Sequence, residues 1–242
     1  MKTMVRWKSL IPVYCLVLIG LLAVAALGND VATAVSEDAP ITRRNCLVID
    51  AGHGGMDGGA ISCTGVKESE INLEIALKLE DLAHLLGIQT MMIRRTDCSV
   101  YTGGNTIAAQ KVSDLKERVR LINNASNAVV LSIHQNYFTD SKYYGAQVFY
   151  APTQNSKQLA EQLQTAFVNT INPNSRRQIK PANGIYLMQK ISTPGILVEC
   201  GFLSNPAEES LLRSHEYQCK LCAVIISVYS GYLSSESATY NG

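Results

Sequence analysis

The sequence has almost no net charge, because 21 lysine and arginine residues are balanced by 20 aspartate and glutamate residues. It also has no basic stretch interleaved with aromatic residues of the kind that binds single-stranded nucleic acid. A nucleic-acid surface requires concentrated positive charge. The composition therefore argues against nucleic acid as a partner.

A disulfide framework and a nucleophile elbow are also missing. Seven cysteines are present, and those beyond Cys15 are irregularly spaced: Cys46, Cys63, Cys98, Cys200, Cys219 and Cys222. The last two have the spacing of a redox or zinc pair, but they lie in an amphipathic run, which favours core packing. No serine or cysteine lies in an elbow with an ordered histidine and acid, so a metal-free hydrolase has little support.

The N-terminus differs in kind from the rest of the chain. Basic residues precede an apolar run over residues 10–27, which is typical of an export signal. The run is long enough for a membrane anchor, while the small residues at 32–34 suit a cleavage site, so residues 1–28 are a signal peptide or an anchor. Residues 29–45 are expected to be a linker. The chain is therefore expected to be exported, either secreted or anchored on the outer face of the membrane.

Residues 46–236 predict one α/β domain, without an internal repeat or a second domain. Predicted strands cover residues 46–50, 89–94, 128–133, 145–150, 184–188 and 195–198. Helices are predicted from about residue 68, from an N-cap at Ser113, over 156–169, over 207–212 and over 217–232, and residues 172–183 are predicted to be a polar loop. This alternation indicates a sheet with helices on both faces.

The first predicted strand ends in a glycine loop that contains His53. Glycines allow close backbone approach, and a histidine at a strand end can offer a ring nitrogen to a metal. A hydrogen-bonded loop histidine without chemistry is the commoner explanation of one such residue. The role of His53 therefore depends on its partners.

Three further side chains supply those partners. The third and sixth predicted strands end at His134 and Glu199, and Glu68 opens the helix after the His53 loop. Strand ends and adjacent helix starts converge in one crevice of an open α/β sheet. Two histidines and a carboxylate form the ligand set of a catalytic zinc site, and a second carboxylate can accept a proton from water.

Four blocks of the sequence resemble the signature blocks of a known enzyme family: residues 47–60, 68–79, 131–136 and 196–205. They occur in the order found in the zinc-dependent N-acetylmuramoyl-L-alanine amidases of the amidase-3 type, and the match covers nearly all of the chain after the linker. The resemblance implies a single α/β domain with a mixed sheet of about six strands.

The same resemblance assigns roles to the residues of the predicted cluster. His53, Glu68 and His134 are implied zinc (Zn²⁺) ligands, and Glu199 is the implied catalytic carboxylate. Glu70 and Glu74 compete with Glu68 by position, but the helix-opening glutamate of the family aligns with Glu68. The remaining histidines, His84 and His215, are expected to be structural or solvated.

The implied reaction is hydrolysis of the amide that joins the lactyl group of muramic acid to L-alanine in peptidoglycan. Glu199 is expected to take the proton of water and pass it to the departing amine. Arg177 and Lys180 are expected either to bind the stem peptide or oxyanion, or to form a solvated basic loop. Asn136 and Gln135 are expected to orient substrate or groups around the metal, and Gln135 replaces the alanine of most relatives.

The subtype is most similar to the germination-specific amidases of spore formers, and no cell-wall-binding repeat is present. Those enzymes remove the peptide from muramic acid in spore cortex, so that a muramic lactam can form. The expected location is then the spore cortex, and a protein activator or membrane-associated partner is expected. The alternatives are a zinc peptidase that cuts within the stem peptide, a general wall-remodelling amidase, and a non-catalytic wall-binding module.

Overall fold

The computed structural model describes residues 45–240, with side chains through residue 235. The predicted leader and nearly all of the predicted linker lie outside the described residues. Between residues 45 and 240, no helix combines the length and apolar character needed to cross a bilayer.

The described residues form a six-stranded mixed sheet, as the resemblance implied. Its strands are β1 (Cys46–Ala51), β2 (Thr90–Met92), β3 (Ala128–Asn136), β4 (Gln147–Tyr150), β5 (Lys180–Pro181) and β6 (Gly195–Phe202). The strand order is β2-β1-β3-β6-β4-β5. Only the β4–β6 pair is antiparallel among these strands.

Helices cover both faces of the sheet. They are α1 (Glu68–Leu85), α2 (Ile107–Asn124), α3 (Ser156–Thr170), α4 (Tyr186–Lys190), α5 (Pro206–Leu212) and α6 (His215–Tyr240). The apolar residues of α1, α3 and α6 form one core with one face of the sheet, and those of α2 and α4 form a second core on the other. The α1 stripe of Ile71, Ile75 and Leu79 is fully buried at helical spacing.

The sheet register brings the predicted site residues to one edge. Strands β1, β3 and β6 run parallel as neighbours, so their carboxyl ends lie side by side. His134 in β3 is the Cα partner of Glu199 in β6, and the register shifts between His134 and Asn136. Open α/β sheets bind their ligands in a crevice at this edge, outside the carboxyl ends of the strands.

Two parts of the secondary-structure prediction are wrong on the β5 side of the sheet. The segment predicted as a strand over residues 184–188 contains the start of α4, and β5 lies in the segment predicted as a loop. Leu187, Met188 and Ile191 are buried together against the second core. A short apolar run is compatible with a buried strand and with a short helix. The spacing of its apolar residues therefore does not distinguish the two.

The start of α2 was also predicted wrongly. The helix begins at Ile107, where the Thr106 side chain accepts a hydrogen bond from the backbone nitrogen of Ala109. Ser113 lies within the helix, and its hydroxyl accepts from the backbone nitrogens of Thr102 and Gly103. Ser113 therefore fixes the preceding loop instead of capping the helix.

Candidate metal centre

His53, Glu68 and His134 converge at the carboxyl edge of the sheet. Each offers one ligand atom within 4.8 Å of the others. The Nε2 atom of His53 lies 3.3 Å from Glu68 Oε2, and the Nδ1 atom of His134 lies 2.9 Å from Glu68 Oε1. The two imidazole rings are 5.0 Å apart and nearly perpendicular. This is the donor set of a catalytic zinc site.

The competing residues lie outside this cluster. Glu70 is exposed, and Glu74 accepts a hydrogen bond from Gln218. His84 is exposed and pairs with Thr90, and His215 is exposed beside Cys219. Their surroundings agree with the structural or solvated roles expected for these two histidines.

Two glycines make room for the cluster. A Cβ on Gly52 would lie 2.2 Å from the Nε2 atom of His134. A Cβ on Gly59, where φ is +68°, would lie 2.5 Å from Glu68 Oε2. Side chains at these positions would displace the ligand groups, so the glycine loop permits their close approach.

Asp57 fixes the orientation of the His53 ring. Its Oδ2 atom lies 2.9 Å from the Nδ1 atom of His53, while its Oδ1 atom lies 2.7 Å from Lys111 Nζ. A carboxylate on one ring nitrogen of a histidine leaves the other nitrogen available to a metal. The Nε2 atom of His53 is thus the nitrogen directed toward Glu68.

Two buried arginines hold the backbone of the same loop. Arg94 donates to the carbonyl oxygens of Ala51, Gly52 and Ser69, which link the His53 loop to the first turn of α1. Arg118 donates to the carbonyl oxygens of Ala51 and His53. His53 has a φ of 61°, which is an unfavourable conformation for a residue with a side chain. These hydrogen bonds stabilise the strained loop.

The charges of the cluster are strongly coupled. Burial alone would raise the pKa of Glu68, but hydrogen bonds with His134 and His53 hold that pKa far below its usual range. Burial alone would lower the pKa of His53, but Glu68 and Asp57 outweigh burial and raise this pKa to about 9. The buried carboxylate is therefore paired with positive charge, which is the charge that a metal cation would supply.

Glu199 faces this cluster from the neighbouring strand. Its Oε2 atom is buried and has no hydrogen-bond partner within the described part of the chain. Burial raises the pKa of Glu199 to about 7, and the Glu68 carboxylate adds to this effect while His134 opposes it. A carboxyl with a pKa near neutrality can both accept and release a proton.

The structure separates the two predicted basic residues. The Arg177 guanidinium stacks 4.4 Å from the centre of the Phe202 ring and donates to Gln147 Oε1. Gln147 is the Cα partner of Glu199, so Arg177 lies near the site. Lys180 is exposed on edge strand β5 opposite Phe149, two strands away from β6.

The two predicted polar residues after His134 also differ. Asn136 is half-buried at the end of β3. Gln135 is 3% exposed, and its side chain donates to Asn72 Oδ1 in α1. This contact suits the predicted support of groups around the metal, and a contact of Gln135 with substrate stays a prediction.

Sequence reasoning did not find four residues that shape the site: Asp57, Asn72, Arg94 and Arg118. Asp57 lies four residues after His53, which is a local signal for a carboxylate that supports a histidine. Arg118 lies 65 positions after His53, in helix α2, so its contact with the His53 loop follows only from the folded chain.

Comparison with known proteins identifies the family of this chain. The family model described as N-acetylmuramoyl-L-alanine amidase matches residues 47–228. The chain is 36% identical over 189 residues to the germination-specific N-acetylmuramoyl-L-alanine amidase of Bacillus subtilis (strain 168), covering 77% of this chain and 78% of that one.

Solved structures give the same result. The CwlD amidase from Clostridioides difficile, in complex with the GerS lipoprotein, is 38% identical with a TM-score of 0.75, covering 79% of this chain and 99% of that one. An N-acetylmuramoyl-L-alanine amidase from Clostridium difficile 630 is 32% identical with a TM-score of 0.68, covering 79% of this chain and 97% of that one. The chain therefore belongs to the N-acetylmuramoyl-L-alanine amidase family, whose members are peptidoglycan hydrolases.

Proposed function

We propose that this amidase is a zinc enzyme that cleaves the amide between the lactyl group of N-acetylmuramic acid and L-alanine. The observation that carries the proposal is the cluster of His53, Glu68 and His134, with Glu199 facing it from the next strand. His53, Glu68 and His134 would hold the zinc, which when bound would supply a Lewis acid that polarises a carbonyl and makes water more acidic. Two imidazoles and one carboxylate leave a position open for water or substrate.

The side chain of Glu199 carries the proton transfer in this proposal. Its Oε2 atom has no hydrogen-bond partner among residues 45–235 and is available to accept a proton from the attacking water. The same carboxyl then donates that proton to the nitrogen of L-alanine, because an amide nitrogen leaves poorly unless it is protonated. The products are a free lactyl carboxyl on muramic acid and a peptide with a free amino terminus.

Substrate contacts are proposed for Arg177 and Asn136. The Arg177 guanidinium lies over Phe202 near the Glu199 strand, where it can pair with a carboxylate of the stem peptide. Asn136 lies two residues beyond His134 at the same strand end. Lys180 lies further out, so its proposed contact is with a more distant part of the peptide.

Mass spectrometry of digested peptidoglycan tests the reaction. The purified protein is treated with a chelator, with and without added zinc, and compared with Glu199→Gln and with the exposed control Glu216→Gln. We expect stem peptides with free L-alanine only when zinc is present. Glu199→Gln should lower the rate by about 10²- to 10⁴-fold, and Glu216→Gln should not.

The products also separate this reaction from its alternatives. Cleavage within the stem peptide would replace the amidase proposal with a zinc peptidase. Activity that persists without zinc would overturn the metal assignment. Release of the sugar backbone without free lactyl carboxyl groups would contradict both reactions.

We further propose that the substrate is spore cortex peptidoglycan, where removal of the peptide permits formation of muramic lactam. The support is the 36% identity to a relative named germination-specific. A general wall-remodelling amidase is the alternative. Comparison of rates on cortex fragments and on vegetative cell-wall fragments tests this, and equal rates would favour the alternative.

A lipoprotein or another membrane-associated partner is proposed to hold this amidase at its place outside the cytoplasmic membrane. The support is the structural neighbour that was solved in complex with a lipoprotein. This role also fits a chain predicted to be exported. Full activity of the purified protein on cortex fragments, without any addition, would contradict the need for an activator.

A further inference from the structure

A fully buried asparagine connects two of the candidate ligand segments. Asn72 lies one turn after Glu68 in α1 and has no exposed surface. Its Nδ2 atom lies 3.2 Å from Glu68 Oε1 and 3.2 Å from the carbonyl oxygen of Gly52. An amide nitrogen carries two hydrogens, so one side chain can serve both acceptors. Asn72 thus ties the Glu68 carboxylate to the residue that precedes His53.

Gln135 extends this connection to the third segment. It follows His134 directly, and its Nε2 atom lies 3.2 Å from Asn72 Oδ1. Its backbone nitrogen lies 3.2 Å from Glu68 Oε1. The Oδ1 atom of Asn72 is therefore hydrogen-bonded to the strand that carries His134.

Both oxygen atoms that accept a hydrogen bond from Asn72 also accept one from another donor. The Gly52 carbonyl also accepts from Arg94, and Glu68 Oε1 also accepts from the Gln135 backbone. Neither of these hydrogen bonds joins Glu68 directly to Gly52. The backbone nitrogen of Ala60, further along the loop, donates to Glu68 Oε2. Asn72 instead ties the carboxylate to Gly52, the residue that directly precedes His53.

We infer that Asn72 and Gln135 are positioning residues that hold Glu68, His53 and His134 at metal-binding distance, with Gln135 acting through Asn72. This inference rests on the proposed zinc site. Substitution of groups that orient metal ligands lowers metal affinity by about 10- to 100-fold. The expected consequence is weaker zinc binding in a protein that remains folded.

The test measures zinc affinity of the full-length protein by competition with a chromogenic chelator. The variants are Asn72→Ala, Gln135→Ala and the double substitution. Ser69→Ala is the matched control, because Ser69 is buried in the same helical turn and its hydroxyl has no hydrogen-bond partner among the described residues. Thermal unfolding without metal shows whether each variant is folded.

We expect Asn72→Ala to lower zinc affinity by about 10- to 100-fold and Gln135→Ala to lower it less. The double variant should bind zinc no more weakly than Asn72→Ala, because Gln135 acts through Asn72. The visible absorption of cobalt bound in place of zinc should change in both single variants, since it reports ligand geometry. Ser69→Ala should match the unsubstituted protein in all of these measurements.

Several outcomes would overturn the inference. These are unchanged zinc affinity in Asn72→Ala, additive losses in the double variant, or an unchanged cobalt spectrum. If Asn72→Ala fails to fold, Gln135→Ala decides the matter, and unchanged affinity in that variant overturns the inference. A protein that binds zinc tightly but cleaves no amide would contradict the proposed function alone. An unsubstituted protein that binds no zinc would overturn both.

Discussion

Arg118 donates a hydrogen bond of 2.7 Å to the backbone oxygen of His53. The same guanidinium forms an ion pair with Asp50, and the two side chains are 2% and 1% exposed. One buried arginine therefore connects helix α2, the last part of β1 and the loop that carries a candidate metal ligand. The stability of the domain and the geometry of the site depend on the same contacts.

Loss of this arginine should destabilise the protein strongly. Arg118→Met removes the cation and leaves the Asp50 carboxylate buried without it. Breaking a buried ion pair on one side costs about 3–5 kcal/mol in the free energy of unfolding. Urea unfolding measures this loss. Arg120→Met, which removes an exposed partner of Glu117 on the same helix, should leave the unfolding midpoint nearly unchanged. Equal effects of the two substitutions would contradict the role of Arg118.

The effect of Arg118→Met should depend on pH. Burial alone would raise the pKa of Asp50, but Arg118 and the Ser132 hydroxyl outweigh burial and hold this pKa below its ordinary value. The stability from this carboxylate is therefore present above its unfolded pKa, and it is lost as pH falls through the lower folded pKa. Without Arg118, burial dominates and raises the pKa, so protonation relieves the cost of the buried charge.

The difference in unfolding free energy between Arg118→Met and the unsubstituted protein should thus shrink between about pH 7 and about pH 4. Urea unfolding of both proteins at each pH measures the difference. Carboxylates without a contact to Arg118 contribute equally in both proteins and cancel from the difference. Asp114 also pairs with Arg118 but is more exposed than Asp50. A difference that stays constant with pH would mean that the cost of the substitution comes from lost packing instead.

Gly52 should tolerate no side chain. In Gly52→Ala the new methyl group would lie 2.2 Å from the His134 ring, which must move. A displacement of about 1 Å at a reactive site can lower the rate by about 10²-fold. Zinc content and amidase rate measure the effect. Gly103→Ala is the control, because a Cβ there meets no atom within 4 Å. Normal zinc binding and activity in Gly52→Ala would contradict the packing of this ring.

The sequence predicted the parts of the fold and site that depend on local pattern. The apolar runs of the sequence stop shortly before His53, His134 and Glu199, although β3 and β6 continue to Asn136 and Phe202. The amphipathic spacing of α1 places Glu68 at its start. These features can be recognised from residues that are close together in the sequence. The four side chains come together because parallel strands present their carboxyl ends at one edge.

The parts that were missed depend on contacts between distant segments. Ser113 has the chemistry of an N-cap, but tertiary structure uses its hydroxyl to hold Thr102 and Gly103. The hydrogen bond from Gln135 to Asn72 joins residues 63 positions apart, so it follows only from the folded chain. Residue type therefore limits the roles available to a side chain, and the fold selects among them.

Cysteine reactivity should follow burial, because all six cysteines of the described residues carry free thiols. Cys63, Cys98 and Cys219 are exposed, Cys200 and Cys222 are buried, and Cys46 is half-buried. The core packing predicted for the Cys219 and Cys222 pair thus applies to Cys222 alone. Burial raises the pKa of Cys222 to about 12, which makes its reactive thiolate scarce.

Alkylation of the native protein should modify the three exposed cysteines first, and Cys200 and Cys222 should react only after denaturation. Peptide mass mapping with and without urea measures this order. The comparison of Cys219 with Cys222 is the most direct, because the two thiols share one helix and differ in burial. Equal rates for these two in the native protein would mean that α6 separates from α1 under native conditions, which contradicts the packing of Cys222 against Ile75.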